Sequence, residues 1–262
     1  QAVGQDQRRR LQYRYHPLWM ERNKLRDFDK LPAFGHALPK IRRFIDTQLR
    51  RRQMDKERVL GIALRLLDTA LIRVGNERYA SENSSFGLTT LRNSHVKADS
   101  NGVHFDFIGK GGAKHKFSIA DPRAARAIRA CHELPGYRLL QYLDDDGECQ
   151  PLSSTDINNC LAELTGAEFT AKTFRTWGAT TDFHQRVYGS ELPGSERETT
   201  LLVNEALRAT AKVLGNTMAV CRKYYVHPRM LAGFASGELA QRGRKLPPLK
   251  GLTEAESDAL RF

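Results

Sequence analysis

The chain has 262 residues, enough to bury a sizeable core in one large domain or in two lobes. Its 42 lysines and arginines outnumber its 30 aspartates and glutamates, and the formal net charge of +12 favours a polyanionic partner, most commonly nucleic acid. No apolar run approaches the ~18 residues of a membrane span and no secretory signal opens the chain, so we expect a cytoplasmic protein without a membrane partner.

The cysteines and carboxylates give no indication of a metal site. The four cysteines show neither a CxxC pair nor a spacing typical of zinc ligands: Cys131, Cys149, Cys160 and Cys221. They are typical of reduced cytosolic thiols. The acidic stretch at residues 144–147 indicates a solvated turn, because three adjacent carboxylates do not share one metal-binding face. We therefore expect no metal.

The first 35 residues are polar and aromatic, with three arginines at residues 8–10. Pro17, Pro32 and Gly35 are expected to interrupt any long regular element in this segment. Apolar residues at helical spacing then predict a helix over residues 38–52, with Pro39 in its first turn. A second, more apolar helix is predicted over residues 55–74, ending at Gly75.

The pattern then changes to short alternating segments. Residues 94–99, 103–108 and 114–119 predict three antiparallel strands. Asn101 and Gly102 form a strong two-residue hairpin signal, and a glycine-rich loop at residues 109–112 joins the second and third strands. Asp121 and Pro122 predict the start of a helix to residue 134.

Helices are predicted for most of the remaining chain, at residues 154–164, 171–188, 196–214 and 229–237, with a short helix entered through Gly215 and Asn216 before the last. The fold class that we predict is α+β and mainly helical, with a small three-stranded antiparallel sheet.

The short helix carries a tyrosine beside basic residues. Tyr225 follows Arg222 and Lys223, with Tyr224 as an adjacent alternative. A phenol has a pKa of about 10 and is a poor nucleophile unless cations stabilise its phenolate. A tyrosine in a cationic site of a basic protein suggests attack on a phosphodiester.

Two basic residues earlier in the chain could assist attack on a phosphodiester. Arg73 lies in the last turn of the predicted apolar helix, where a cation can simply complement the helix dipole, and Arg78 is a competing candidate. Lys110 lies in the glycine-rich loop, where glycines let the backbone approach a ligand closely. The alternatives are a solubilising lysine, or Lys114 and Lys116 on the following strand.

Two further polar residues lie downstream. Arg175 has aromatic neighbours on both sides, which indicates a buried guanidinium that either binds a planar anion or pairs with Asp182. Asn216 can donate to an anion or act only as a helix N-cap.

In this order, arginine, hairpin lysine, helical arginine, asparagine and tyrosine, the chain resembles the catalytic domain of type IB DNA topoisomerases, specifically the compact poxvirus-like form found in bacteria. The matching segments are Ile72-Arg73-Val74-Gly75, Gly87-Leu88-Thr89-Thr90-Leu91, Phe107-Ile108-Gly109-Lys110, Lys172-Thr173-Phe174-Arg175-Thr176-Trp177-Gly178, residues 214–228 and the connector-like Gln12-Tyr13-Arg14-Tyr15.

The resemblance implies an enzyme that nicks and reseals double-stranded DNA with no metal, ATP or other cofactor. Tyr225, whose spacing from Asn216 fits the family better than that of Tyr224, would attack the phosphate and hold the 3′ end. Arg73 and Arg175 would bind the non-bridging oxygens, and Lys110 would protonate the departing 5′ oxygen. The family's histidine is replaced by Asn216, which cannot carry charge, so we predict a modest contribution from it.

The resemblance also implies a division of the chain. Residues 1–36 would be an interdomain connector that contacts DNA and residues 37–262 the catalytic domain, with the family's small N-terminal domain absent before Gln1. Tyr13, Tyr15, Arg78 and Tyr79 are candidate phosphate contacts, the alternative being packing on the protein surface. We expect a monomer.

Two other functions fit the same fold. A tyrosine recombinase shares the chemistry, but it carries a His-x-x-Arg motif where this chain has Lys172-Thr173-Phe174-Arg175. A DNA-binding module that has lost catalysis is supported only by Asn216.

Overall fold

The structure is a computed structural model that describes residues 2–5, 11–99, 102–188, 190, 194–241 and 246–262, with the backbone alone at residues 5, 11–13, 240 and 241. Its α-helices are α1 (Pro17–Asp29), α2 (Leu31–Gln48), α3 (Lys56–Ala70), α4 (Glu77–Asn83), α5 (Pro122–His132), α6 (Ser154–Thr165), α7 (Ala171–Val187), α8 (Glu196–Leu214), α9 (Met218–Tyr224), α10 (Pro228–Ala235), α11 (Glu238–Gln241) and α12 (Glu254–Arg261). None of the helices in these ranges is long and apolar enough to cross a membrane.

The strands form three small antiparallel sheets. They are β1 (Ala2–Gln5) with β2 (Leu11–Arg14), then β3 (Val96–Asp99), β4 (Gly102–Ile108) and β5 (Lys114–Ile119) in that spatial order, and β6 (Gln141–Leu143) with β7 (Cys149–Pro151). The predicted mainly helical fold with a three-stranded antiparallel sheet is confirmed. Within the hairpin, Asp99 pairs with Gly102, whereas Asn101 lies outside the described residues, as do the arginines at residues 8–10.

The prediction that Pro17, Pro32 and Gly35 interrupt regular structure is confirmed at the two prolines, where α1 and α2 begin, and is wrong at Gly35. Pro17 and Pro32 lie in the first turns of α1 and α2, where the missing N–H costs no hydrogen bond. Gly35 lies inside α2 and faces the Trp177 ring, since a Cβ at this position would lie 2.5 Å from Cη2 of that ring. Gly35 therefore makes room for packing rather than ending a helix.

Helix α2 begins at Leu31, so Pro39 lies inside it and not in its first turn, contrary to prediction. The helix continues beyond the proline because one face of it is fully buried, at Phe34, Leu38, Ile41 and Ile45. The predicted boundary between residues 36 and 37 falls within this helix, and the division into connector and catalytic domain stays a prediction.

Helix α3 ends before the predicted stop at Gly75. Its last residue is Ala70, and Leu71 adopts left-handed backbone angles (φ 49°, ψ 30°), which cost a non-glycine residue about 1–2 kcal/mol. Two contacts hold it there: its side chain packs on Gly178, and its carbonyl accepts a hydrogen bond from Arg175. The turn redirects the chain, so that Arg73 points toward the later helices.

The buried residues form two hydrophobic clusters that meet along α7. The first contains α2, α3, the three-stranded sheet and α5, and it includes Phe174 at the beginning of α7. The second contains α8, α9 and α10, and it includes Phe183 near the end of α7. Arg175 lies where the two clusters meet.

A polar network attaches the C-terminal helix α12 to this core. Arg42 on α2 donates to Asp68 at 3.0 Å and to Glu256 at 2.7 Å, and the Trp177 indole donates to Glu256 at 3.3 Å. Burial alone would raise the pKa of Glu256, but hydrogen bonds from Arg42 and from the Thr253 backbone hold it below its ordinary value. Glu256 is therefore ionised in the folded protein.

We expect Glu256→Gln to lower the free energy of unfolding by about 1–3 kcal/mol at pH 7, because Arg42 loses a charged partner. Since folding lowers the pKa of Glu256, its contribution is present above the unfolded value of about 4.5 and is lost as the pH falls below it. Urea unfolding at pH 7 and pH 4 measures both effects, with Glu163→Gln, an exposed glutamate on α6, as the control. A difference that does not shrink at pH 4 would contradict this account.

Candidate active site

Tyr225 lies directly after α9 and its backbone is held on both sides. Its N–H donates to the Cys221 carbonyl at 3.0 Å, and its carbonyl lies 3.2 Å from Thr180 Oγ1, whose single proton is shared with the Thr176 carbonyl at 2.8 Å. The same hydroxyl oxygen accepts from the N–H of His227 at 3.1 Å. The Tyr225 ring is half-buried, with its centroid 5.1 Å from Cζ of Arg175. A cation therefore lies against the phenol ring.

Arg175 is 2% exposed and holds two backbone segments together. Its guanidinium donates from Nη1 to the Leu71 carbonyl and from Nη2 to the Leu214 carbonyl, the latter at 3.0 Å. The alternative of a salt bridge to Asp182 is wrong, because that carboxylate pairs with Arg186 at 2.7 Å. Arg175 is a buried cation whose hydrogen bonds go to neutral carbonyls, so its charge is available to an anion.

The charges around Arg175 also favour the binding of an anion. Burial lowers the pKa of Arg175, the Tyr225 phenol partly offsets that effect, and the nearby Arg73 lowers it further. A guanidinium nevertheless remains charged in proteins. Within the described ranges no carboxylate forms an ion pair with Arg73, Lys110 or Arg175. A bound phosphate would relieve the repulsion between the two arginines.

Arg73 and Asn216 are hydrogen-bonded to each other. Arg73 Nη2 donates to Asn216 Oδ1 and, at 3.2 Å, to the Gly215 carbonyl. The helix-dipole alternative for Arg73 is wrong, because α3 ends before it. The N-cap alternative for Asn216 is also wrong, because Thr217 caps α9 by accepting from the Val220 N–H at 3.3 Å. Both residues are thus directed into the site.

Three buried nitrogen atoms of Arg73, Arg175 and Asn216 have no hydrogen-bond partner in the described part of the chain. They are Arg73 Nη1, Arg175 Nε and Asn216 Nδ2. Leaving a buried donor unpaired costs about 1–3 kcal/mol, so native proteins rarely do so without a ligand or water to accept the bond. Nine other buried side-chain atoms in the described residues also lack a hydrogen-bond partner, but these three are grouped: Arg73 is bonded to Asn216, and Arg175 lies against Tyr225. The grouping suits a tetrahedral anion.

Lys110 is exposed at the tip of the loop between β4 and β5. The two glycines after it have positive φ (73° and 77°), and its Nζ lies 5.6 Å from the centroid of the Tyr79 ring. Lys114 and Lys116 are exposed on β5 and alternate with the half-buried His115, so they lie on the opposite face of the strand from it. The role of Lys110 rather than Lys114 or Lys116 as the general acid stays a prediction.

The two adjacent tyrosines have different surroundings. Tyr224 has Lys223 Nζ 5.3 Å from its ring centroid and lines an open cleft with Trp19 and Lys172. Tyr225 lies against Arg175 instead. Of the two, only Tyr225 lies against a buried arginine, and its role as the nucleophile stays a prediction.

The candidate DNA contacts are dispersed. Tyr15 stacks on Trp19 with ring centroids 4.4 Å apart, Tyr79 lies beside Lys110, and Arg78 pairs with Glu82 on the surface of α4 at 2.7 Å. The side chain of Tyr13 lies outside the described residues. DNA binding by these four residues stays a prediction.

Sequence reasoning missed two side chains of this site. Thr180 holds the backbone around Tyr225, and His115 lies between the hairpin loop and Gly215. For Thr180 no local signal exists. For His115 the alternation along β5 was a usable signal, because it places His115 opposite the exposed lysines.

Comparison with known proteins agrees with the geometry. The family model described as "Eukaryotic DNA topoisomerase I, catalytic core" matches residues 19–241. The chain is 31% identical over 233 residues to "DNA topoisomerase 1B" of Acanthamoeba polyphaga mimivirus, covering 86% of this chain and 69% of the viral protein. It is 24% identical over 240 residues to "DNA topoisomerase I" of Monkeypox virus, covering 87% and 70%. With "DNA topoisomerase 1" of Daucus carota it shares 26% identity over 213 residues, covering 79% of this chain and 25% of the plant protein. The chain therefore belongs to the type IB DNA topoisomerase family and carries its catalytic core.

Proposed function

We propose that this type IB DNA topoisomerase cuts one strand of duplex DNA with Tyr225, holds the 3′ end as a phosphotyrosine, and reseals the strand after the free 5′ end has rotated. The observation that carries the proposal is the group of three unpartnered donors on Arg73, Arg175 and Asn216, of which Arg175 lies against the Tyr225 ring. Donors fixed in advance around a phosphate stabilise the charge that develops on its oxygens during attack.

The proposed step balances as follows. The Tyr225 oxygen forms a bond to phosphorus and its proton passes to water, while the bond from phosphorus to the 5′ oxygen breaks. Lys110 gives a proton to that oxygen, which leaves as a hydroxyl group. Arginine binds two oxygens at once but does not readily lose a proton, whereas lysine does, so each residue type suits its role. Resealing is the reverse reaction.

The proposal includes activity without metal or ATP, since the cationic side chains can offset the charge of the phosphate. The test is relaxation of a supercoiled plasmid in EDTA without nucleotide, with adducts trapped by denaturant on DNA labelled at either end. A 3′-phosphotyrosine retains the 5′-labelled piece. An adduct on the 3′-labelled piece, or an absolute need for a metal ion, would contradict it.

The same experiment separates the two alternatives. Joining of the cleaved strand to a second duplex in a synaptic complex would indicate a tyrosine recombinase. Tight binding with neither adduct nor relaxation would indicate a module that only binds DNA. The family assignment supports neither outcome.

We expect Asn216→Ala to slow single-turnover cleavage by roughly 10–30-fold, because one donor to the phosphate and one partner of Arg73 are lost together. Asn216→His should restore most of the rate, since an imidazole can also donate. Asn216→Asp serves as the contrasting variant: it can still accept from Arg73, but its charge repels the phosphate, so it should be slower than Asn216→Ala. Equal rates for the aspartate and alanine variants would contradict a position beside the phosphate.

Three finer expectations belong to the proposal: a bacterial origin, a monomer, and action on DNA in the cytoplasm. The similarity to the two viral enzymes, which extends over 86% and 87% of this chain, supports the poxvirus-like form. Light scattering on the purified protein tests the monomer, whose mass is 29.7 kDa.

A further inference from the structure

His115 lies in the site although the proposed chemistry assigns it no role. It is on β5, where it pairs with Phe107 of β4, and the two rings stack with centroids 5.0 Å apart and an angle of 14° between their planes. No hydrogen-bond partner of the ring nitrogens is found among the described residues. The ring is therefore held by packing.

Two glycines accommodate the other edges of the imidazole. A Cβ on Gly109 would lie 2.6 Å from His115 Cδ2, and a Cβ on Gly215 would lie 2.9 Å from His115 Cε1. Real Cβ atoms do not come so close to other atoms, so the ring touches the backbone of both residues. Gly109 precedes Lys110, and Gly215 precedes Asn216. The imidazole thus joins the loop of the proposed general acid to the segment that leads to the nucleophile.

We propose that His115 is a positioning residue, which fixes the distance between the Lys110 loop and the phosphate site by filling the space between Gly109 and Gly215. This inference rests on the role proposed above for Lys110. In this proposal His115 acts through Lys110.

The charge state of the ring fits this role. Burial lowers the pKa of His115, and Arg73 and Arg175 lower it further. The ring is therefore neutral at pH 7 and does not add to the repulsion between the two guanidinium groups.

The test uses the leaving group. A 5′-bridging sulfur in place of oxygen departs without a proton, because thiols have a pKa of about 8.5. We expect His115→Ala to cleave the ordinary phosphodiester about 30-fold more slowly than wild type, since a misplaced catalytic group can cost 10²-fold, and to cleave the sulfur substrate at nearly the wild-type rate. The ratio of the two rates is measured within one variant, so partial unfolding does not change it.

Three comparisons complete the experiment. Lys110→Ala should show the same rescue by sulfur, and Arg175→Lys should show none. His104→Ala removes another hairpin histidine, which bonds to Ser118 at 2.7 Å and to Asp99 at 3.0 Å, and it should cleave both substrates normally.

A double-mutant cycle gives an independent test. Gly109 has φ −97°, so Gly109→Ala strains no backbone angle but forces its methyl group against the imidazole. We expect Gly109→Ala to slow oxygen cleavage in the wild type and to have little effect in the His115→Ala background, where the clash is absent.

The outcomes are distinguishable. Equal slowing of His115→Ala on both substrates, or no slowing at all, would overturn the positioning role while leaving the proposed function intact. Absence of sulfur rescue in Lys110→Ala would overturn the assignment of Lys110 as general acid, on which the inference depends.

Discussion

Tyr225→Phe should lower the rate of strand cleavage by about 10⁴-fold or more, whereas Tyr224→Phe should stay within roughly threefold of wild type. The phenylalanine ring can still lie against Arg175, so folding and DNA binding should be retained while the attacking oxygen is lost. Denaturant-trapped adducts and plasmid relaxation measure the effect. Thermal unfolding and salt-dependent DNA binding serve as controls.

The opposite pattern, with adducts in Tyr225→Phe and none in Tyr224→Phe, would move the nucleophile to Tyr224. Such a result would also remove Arg175 from the proposed chemistry, because Tyr224 lines the cleft beside Trp19 and Lys172. The prediction includes unchanged DNA binding by Tyr225→Phe, because a variant that no longer binds DNA would lose cleavage for that reason alone.

The sequence predicted correctly the helices and strands whose ends are determined by neighbouring residues in the chain. Helix α8 was predicted over its full length, residues 196–214, because Gly215 follows its apolar periodicity and adopts a positive φ of 60°. The hairpin strands were found because alternation and turn residues agree. The limits of α2 and α3 were missed because distant residues set them: Trp177 packs on Gly35, and Arg175 binds the Leu71 carbonyl.

The sequence predicted which residues belong to the candidate site, but not how their side chains are arranged and hydrogen-bonded. The order of Arg73, Lys110, Arg175, Asn216 and Tyr225 along the chain pointed to phosphodiester chemistry. Some nitrogen atoms of Arg73 and Arg175 donate to backbone carbonyls, and only the remaining ones can bind a ligand. Every residue has a backbone carbonyl, so the sequence does not show which carbonyls accept these bonds. A lone histidine on a strand is also inconspicuous until the strand is folded against its neighbours.

We expect Arg175→Lys to lower the cleavage rate by about 10²–10³-fold, although it keeps the charge. The guanidinium binds the Leu71 and Leu214 carbonyls and still directs Nε into the site, whereas a single ammonium group cannot occupy all three positions. Single-turnover cleavage well below the unfolding temperature measures the loss.

The same substitution should also lower the free energy of unfolding by about 1–3 kcal/mol, because a buried carbonyl loses its donor where the two core clusters meet. Arg186→Lys, on the same helix but paired with Asp182 at the surface, is the matched control and should change neither quantity appreciably. Cleavage by Arg175→Lys at close to the wild-type rate would mean that a positive charge suffices at this position. The hydrogen bonds from Arg175 to the Leu71 and Leu214 carbonyls would then contribute to folding alone. Arg73 and Asn216 would have to supply the directed hydrogen bonds to the phosphate.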